Sequence, residues 1–280
     1  MEQHSHSGRG EQRADRAKAV SRAVDAQKDV TLRRVARQVA SAARSTRSAR
    51  MRSISMETMQ RQLVVATGNA KKLKELHAIL ANLEQPPTLV TSLSLGLPSP
   101  EEDGDSFEAN ALLKARAAFL ATGLPTLADD SGLEVDALGG APGIHSARFS
   151  GPEATDATNN AKLLALLAEV PPERRTARFR CCIAVVFPAA WAHRVSGATL
   201  ADTHAWVVAT GAVEGLIVDD ARGAAGFGYD PYFLHPPSGR TFAELTMAEK
   251  QALSHRGRAL KAMAPLFENM FDSNENGDVS

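Results

Sequence analysis

The stretch Gln62-Leu63-Val64-Val65-Ala66-Thr67-Gly68-Asn69-Ala70-Lys71-Lys72 changes its periodicity halfway along. Leu63 to Thr67 is a short apolar run rich in β-branched residues, which reads as a buried strand. Gly68-Asn69 turns the chain, and Asn69 has the side chain of a helix cap. From Ala70 to Leu83 the apolar residues Leu73, Leu76, Ile79, Leu80 and Leu83 recur at helical spacing. A strand feeding directly into a helix is the first half of an α/β unit.

The same alternation continues outward. Pro86-Pro87 stops the helix, and Thr88 to Leu93 reads as a second strand. After an acidic, Pro- and Gly-rich loop from Ser94 to Gly104, Asp105 and Glu108 are spaced as a capping box for a helix to about Thr122. Pro125 restarts the chain into a strand that is expected to end at Asp129. Gly139 to Gly143 reads as loop, and Asp156 opens a helix that stops before Pro171-Pro172. Cys181 to Phe187 and Ala205 to Thr210 read as strands within a strand-rich stretch from about 176 to 218. Thr246 and Glu249 form a second capping-box pair, opening helical sequence toward Phe271. The fold class predicted is α/β with a mixed sheet flanked by helices.

The chain of 280 residues is 44% hydrophobic and 23% charged, the range of a soluble globular protein. Its net charge of +0 argues against a nucleic-acid coat or a polybasic membrane binder. That average hides a split. Residues 1–61 carry 14 Lys and Arg against 6 Asp and Glu, and the remainder 18 against 26. The first aromatic residue is Phe107. Residues 1–60 therefore read as a basic, disordered extension, because so few large apolar side chains cannot offset the ordering entropy. An upstream translated extension with a functional start at Met51, Met56 or Met59, a transit segment and an RNA-binding arm are the readings open for it. The domains predicted are this extension, a catalytic body over 61–272 and a polar tail over 273–280.

Cys181 and Cys182 are adjacent and unsuited to cross-linking separate segments, so a reducing, cytoplasmic setting is expected. The longest apolar run, Cys181 to Ala192, is about 12 residues and holds Pro188, whereas a membrane span needs roughly 20.

Four constellations carry chemistry. Thr67-Gly68-Asn69-Ala70-Lys71-Lys72 sits where a strand meets a helix N-terminus, a place suited to an anion, with lysines for phosphate. Glu101-Glu102-Asp103 and Asp129-Asp130-Ser131-Gly132 supply carboxylates, the ligands that Mg²⁺ takes together with substrate phosphates. Neighbouring aspartates on a strand point opposite ways, so Asp129 and Asp130 are expected to have different jobs. Phe227-Gly228-Tyr229-Asp230 offers aromatic faces and an acceptor to a heterocyclic base. Lys250 and Ser254 are expected on one helix face, followed by His255 and Arg256, which can donate to a keto oxygen. Lys114 is a weaker candidate of the same kind. Together these are the parts of a metal-assisted nucleoside triphosphate enzyme.

Thr67-Gly68-Asn69 through Lys72, Asp129-Asp130-Ser131-Gly132-Leu133, Gly139-Gly140-Ala141-Pro142-Gly143, Phe227-Gly228-Tyr229-Asp230 and Ser254-His255-Arg256-Gly257 occur in the order found in the inosine/xanthosine triphosphate pyrophosphatases. Over about residues 62–270 the chain resembles that Ham1-like family. The resemblance implies a two-lobed fold with a long central mixed sheet, a Mg²⁺ requirement and a homodimer. It implies hydrolysis of ITP, dITP and XTP to the monophosphate and pyrophosphate. By matching motif, Asp130 is the expected proton acceptor and metal ligand, with Glu101 as second metal carboxylate. Thr67 to Lys72, Ser131, Phe227 to Asp230, Lys250, His255 and Arg256 are the expected nucleotide contacts. One departure stands out: many relatives read Phe-x-Glu-Asn-Ala, and this chain reads Phe107-Glu108-Ala109-Asn110-Ala111, so Glu108 is shifted about 100° around a helix. Alternatives are a related pyrophosphatase for modified pyrimidine or methylated nucleotides, a nucleotide-binding module without turnover, and an RNA binder using the basic extension.

Overall fold

The computed structural model describes residues 61–271. The expectations for residues 1–60 and for the tail over 273–280 lie outside the described residues.

The sheet is built outward from the strand at Gln62–Val65. β1 (Gln62–Val65) pairs in parallel with β2 (Thr88–Thr91) on one side and β3 (Thr126–Val135) on the other. β3, β4 (Thr176–Pro188) and β6 (His204–Ile217) are long antiparallel neighbours, and β7 (Phe233–His235) and β8 (Arg240–Thr241) extend the sheet. The order is β2-β1-β3-β4-β6-β7-β8, with β5 (Thr199–Leu200) on β6. The sheet is thus mixed, and its helices are α1 (Ala70–Leu80), α2 (Phe107–Thr122), α3 (Asp156–Leu167), α4 (Met247–Leu253) and α5 (His255–Met270). Among the described residues no helix is long and apolar enough to cross a membrane.

Strand alternation assigns the cores. Leu63, Val65, Leu127, Ile183 and Val185 pack with Leu76 of α1 and Leu260, Met263 and Phe267 of α5. The intervening residues Val64, Ala128, Ala184 and Val186 face Ala111, Ala115 and Phe119 of α2 on the other side. A further core gathers the far ends of the long strands, with Leu133, Val135, Phe179, Val213 and Ile217 around Leu163 and Leu167 of α3 and Phe233 and Phe242. Cys181 and Cys182 are buried on opposite sheet faces, one in each of the first two cores.

Three expectations need correction. First, β3 does not end at Asp129; it runs through Asp130, Ser131 and Gly132 to Val135, paired to β4 throughout. Gly132 looks like a turn residue but serves a close approach. A Cβ there would run into the Gly143 carbonyl oxygen and come within 2.5 Å of Ser146 Oγ. Gly132→Ala is therefore expected to cost ~1–3 kcal/mol through overpacking. An unchanged urea midpoint for that variant would contradict the packing described. Second, α2 is capped by Ser106, whose hydroxyl accepts from Ala109 N at 3.2 Å, and not by Asp105. Third, the last helix is broken at Ser254, so Lys250 and Ser254 do not share one continuous helix. The Ser254 amide closes α4 on the Lys250 carbonyl at 2.8 Å, and its hydroxyl caps α5 by accepting from Gly257 N at 3.1 Å. Gly257 is required because the Gln251 carbonyl lies where a Cβ would stand.

Candidate active site

β1 stops at Val65 and pairs β3 only through Leu127, so β3 continues past the carboxyl end of β1 without that neighbour. Ligands of α/β sheets bind at such crevices. A cavity of about 570 Å³ opens there, between the helices of the first two cores and the third core. Thr67, Gly68, Asn69 and Lys72 line it from the β1–α1 turn, and Asp130 and Ser131 from β3. Phe227, Gly228, Tyr229, Asp230, Lys250, His255 and Arg256 complete the wall. Ala70, Lys71 and Glu101 do not line it; Glu102 and Lys114 do.

The two aspartates point to opposite sides, as alternation requires. Asp129 is buried and meets Lys72 Nζ at 3.2 Å and Arg256 Nη2 at 3.1 Å. Burial opposes its charge, but Lys72 and Arg256 outweigh it and hold the carboxyl well below the usual range. Asp130 faces α2. Its Oδ1 accepts from Lys114 Nζ at 3.0 Å, and Asn110 Nδ2 lies 3.4 Å from Oδ2. Here burial dominates and pushes the carboxyl up, with Lys114 and Lys72 opposing. Lys114 also donates to Glu102 Oε1 at 3.1 Å, making a chain Glu102–Lys114–Asp130. Burial works against the Lys114 ammonium, but Asp130, Asp129 and Glu102 keep it charged above its ordinary value.

The β1–α1 turn is less open than its sequence suggests. Asn69 caps α1, its side chain accepting from the amides of Lys71 and Lys72 at 2.9 and 3.1 Å. Lys71 turns away to Asp156 at the start of α3, 3.1 Å from Oδ2, and the same oxygen accepts from Gly228 N at 3.0 Å. Phe227 is half-buried, with Lys250 Nζ 4.9 Å and Lys71 Nζ 5.6 Å from its ring centre. Tyr229 is no open platform. It is buried in the third core, its hydroxyl donating to the Ser146 carbonyl at 2.9 Å. Asp230 is also occupied, accepting from Phe227 N at 2.7 Å and Lys250 Nζ at 2.6 Å.

His255 and Arg256 enter from the first turn of α5. The His255 ring stacks on Phe179 at 4.9 Å and 16°, and its buried Nδ1 has no partner among the described residues. Burial, with Arg256 and Lys250 nearby, lowers its pKa well below the ordinary value, so the ring is neutral near pH 7. Arg256 spends its donors within the protein, on Asp129, Ser131 and Glu75.

Several residues escaped the sequence reading. Glu75 is buried between two cations, accepting from Lys250 Nζ at 2.9 Å and from Arg256. A charge on the same helical stripe as Lys72, Leu76 and Ile79 was the signal available. Asn110 links the end of the acidic loop to β3, accepting from Gly104 N at 2.8 Å while its amide approaches Asp130. The shifted Glu108 is exposed and does not reach the cavity.

Residues 63–266 match the profile of the Ham1 family. A dITP/XTP pyrophosphatase of Geobacter sulfurreducens is 50% identical over 200 residues, 71% of this chain and 92% of the relative. A dITP/XTP pyrophosphatase of Shigella flexneri is 46% identical over 208 residues, 74% of this chain and 98% of the relative. Among solved structures, a HAM1 protein from Coxiella burnetii superposes with a TM-score of 0.62 at 39% identity, covering 73% of this chain and 97% of its own.

Proposed function

This chain belongs to the Ham1 family, and from that premise we propose that it hydrolyses non-standard purine nucleoside triphosphates (ITP, dITP and XTP) to the monophosphate and pyrophosphate, clearing them from the nucleotide pool. The observation that carries the reading is the pairing, in one cavity, of the Glu102–Lys114–Asp130 chain with the neutral, stacked His255. The first end suits phosphoryl chemistry and the second an uncharged heterocycle.

In the reaction proposed, Asp130 takes a proton from water as the water oxygen bonds to the α-phosphorus. The bond from that phosphorus to the bridging oxygen breaks, and its electron pair leaves with pyrophosphate. Lys72 and Lys114 face the charge that gathers there. Among the described residues no three His, Cys, Asp or Glu side chains cluster as a metal cage. Two carboxylates that share one ammonium, Asp130 and Glu102, are instead the oxygen donors that would hold Mg²⁺ together with substrate phosphates. We assign that role to Asp130 and Glu102 in place of Glu101. Bound there, Mg²⁺ would supply charge neutralisation and Lewis acidity at the phosphates. We assign His255 to the purine edge, where a base with the wrong group leaves a buried polar atom unpaired. The catalytic body, 61–272, is proposed to act as a homodimer in the cytoplasm.

Pyrophosphate release from ITP, XTP, dATP and GTP, with and without Mg²⁺, tests the assignment. Turnover confined to ITP and XTP and dependent on Mg²⁺ is expected; equal turnover of dATP would sink it. The family match begins at residue 63, so deletion of residues 1–50 is expected to leave ITP turnover within about twofold. A tenfold loss in that truncation would give the extension a part in catalysis.

A further inference from the structure

We propose that Arg148 binds the β- and γ-phosphates and stabilises the departing pyrophosphate, a role that rests on the triphosphate reading above. Four other cations line the cavity: Lys72, Lys114, Lys250 and Arg256. Each already has a carboxylate within 3.2 Å. Each therefore shares its charge with a carboxylate before substrate arrives, which weakens its pull on a polyanion without abolishing it. Arg148 also lines the cavity, yet it forms no ion pair with any described residue. Its one hydrogen bond there is to a neutral group, from Nη2 to the Glu102 carbonyl at 3.3 Å. The other N–H donors of the guanidinium remain for a ligand, in the planar fork that matches phosphate oxygens.

Position selects the phosphate end over the base end. The Glu102 whose carbonyl receives Arg148 is the residue whose carboxylate receives Lys114, and Lys114 receives Asp130 in turn. The His255 ring is engaged elsewhere, stacked on Phe179, and the Phe227 ring lies against Lys250 and Lys71. The mounting is rigid. Arg148 closes the 3-10 segment Gly143–Arg148, and Ser146 within it ties that segment to β3, donating to the Gly143 carbonyl at 2.6 Å and accepting from Leu133 N at 2.9 Å. The Ser146 carbonyl also receives the Tyr229 hydroxyl. The backbone that carries Arg148 is therefore anchored, and its exposed side chain lines the same cavity as Lys72.

A purely structural tether between Arg148 and the acidic loop would affect every ligand alike, so the test compares ligands. Calorimetric titration of inorganic pyrophosphate and of inosine monophosphate into full-length wild type, Arg148→Ala and Arg148→Lys separates the roles. Arg148→Ala is expected to weaken pyrophosphate about tenfold or more, the worth of one charge-assisted hydrogen bond. Inosine monophosphate should stay within about twofold, kcat on ITP should fall by roughly tenfold or more, and Arg148→Lys should recover part of both losses. Equal weakening of both ligands, or of neither, would overturn the proposal. A wild-type enzyme inert toward ITP would overturn the substrate reading instead, while the pyrophosphate comparison would still decide whether Arg148 binds the anion.

Discussion

Asp130→Asn is expected to lose at least ~100-fold in kcat on ITP while remaining folded, the loss that follows removal of a general base. The substitution keeps the shape of the side chain and removes its charge and basicity. Its effect on stability should be small for a reason visible in the site. Lys114, which loses the Asp130 carboxylate, keeps Glu102 at 3.1 Å, so no buried ammonium is left without a counter-charge. Asp130 sits in the sheet through backbone bonds to β4 that an Asn preserves. The decisive measurement pairs turnover at saturating ITP and Mg²⁺ with a melting curve. A folded variant that keeps more than about a tenth of wild-type turnover excludes Asp130 as the base. Glu102, on the far side of the same lysine, would then be the candidate.

What the sequence revealed of this site follows from how locally each feature is determined. The β1–α1 turn was legible because Leu63 to Lys72 carries its own strand period, turn and cap; Asn69 caps α1 as its chemistry requires. The alternation of Asp129 and Asp130 was legible for the same reason. The end of β3 was not, because the need for Gly132 arises from Gly143 and Ser146, which the fold brings back against the strand. The choice between Glu101 and Glu102 likewise depends on a distant partner. Adjacent carboxylates in a loop look equivalent until Lys114 of α2 reaches one of them. Tyr229 read as a stacking face because its motif is glycine-rich and open, but the third core takes the ring and Ser146 takes the hydroxyl. The break at Ser254 is a further case: the run from Thr246 toward Phe271 read as continuous helix, because the pressure of the Gln251 carbonyl that demands Gly257 comes from the break itself.

Glu75→Ala is expected to be the most destabilising single change around the cavity. Glu75, Asp129 and Asp230 share a buried cluster with Lys72, Lys250 and Arg256, each carboxylate within 3.2 Å of at least one of these cations. Removal of Glu75 leaves Lys250 with Asp230 alone and Arg256 with Asp129 and Ser131, and the cluster carries an uncompensated positive charge. Breaking a buried ionic network in this way costs about 3–5 kcal/mol. For a body of this size each kcal/mol moves Tm by roughly 2–4 °C, so a fall of about 6–20 °C is expected. Glu75→Gln, which keeps an acceptor but no charge, should lie between the two. The sign of the excess charge gives a second readout. An anion that binds the cavity would restore the balance, so inorganic pyrophosphate should raise the Tm of Glu75→Ala more than that of wild type. If Glu75→Ala melts within about 2 °C of wild type, the cluster is not the electrostatic keystone of the cavity wall, and α1 is held there by Leu76 and Leu80 alone.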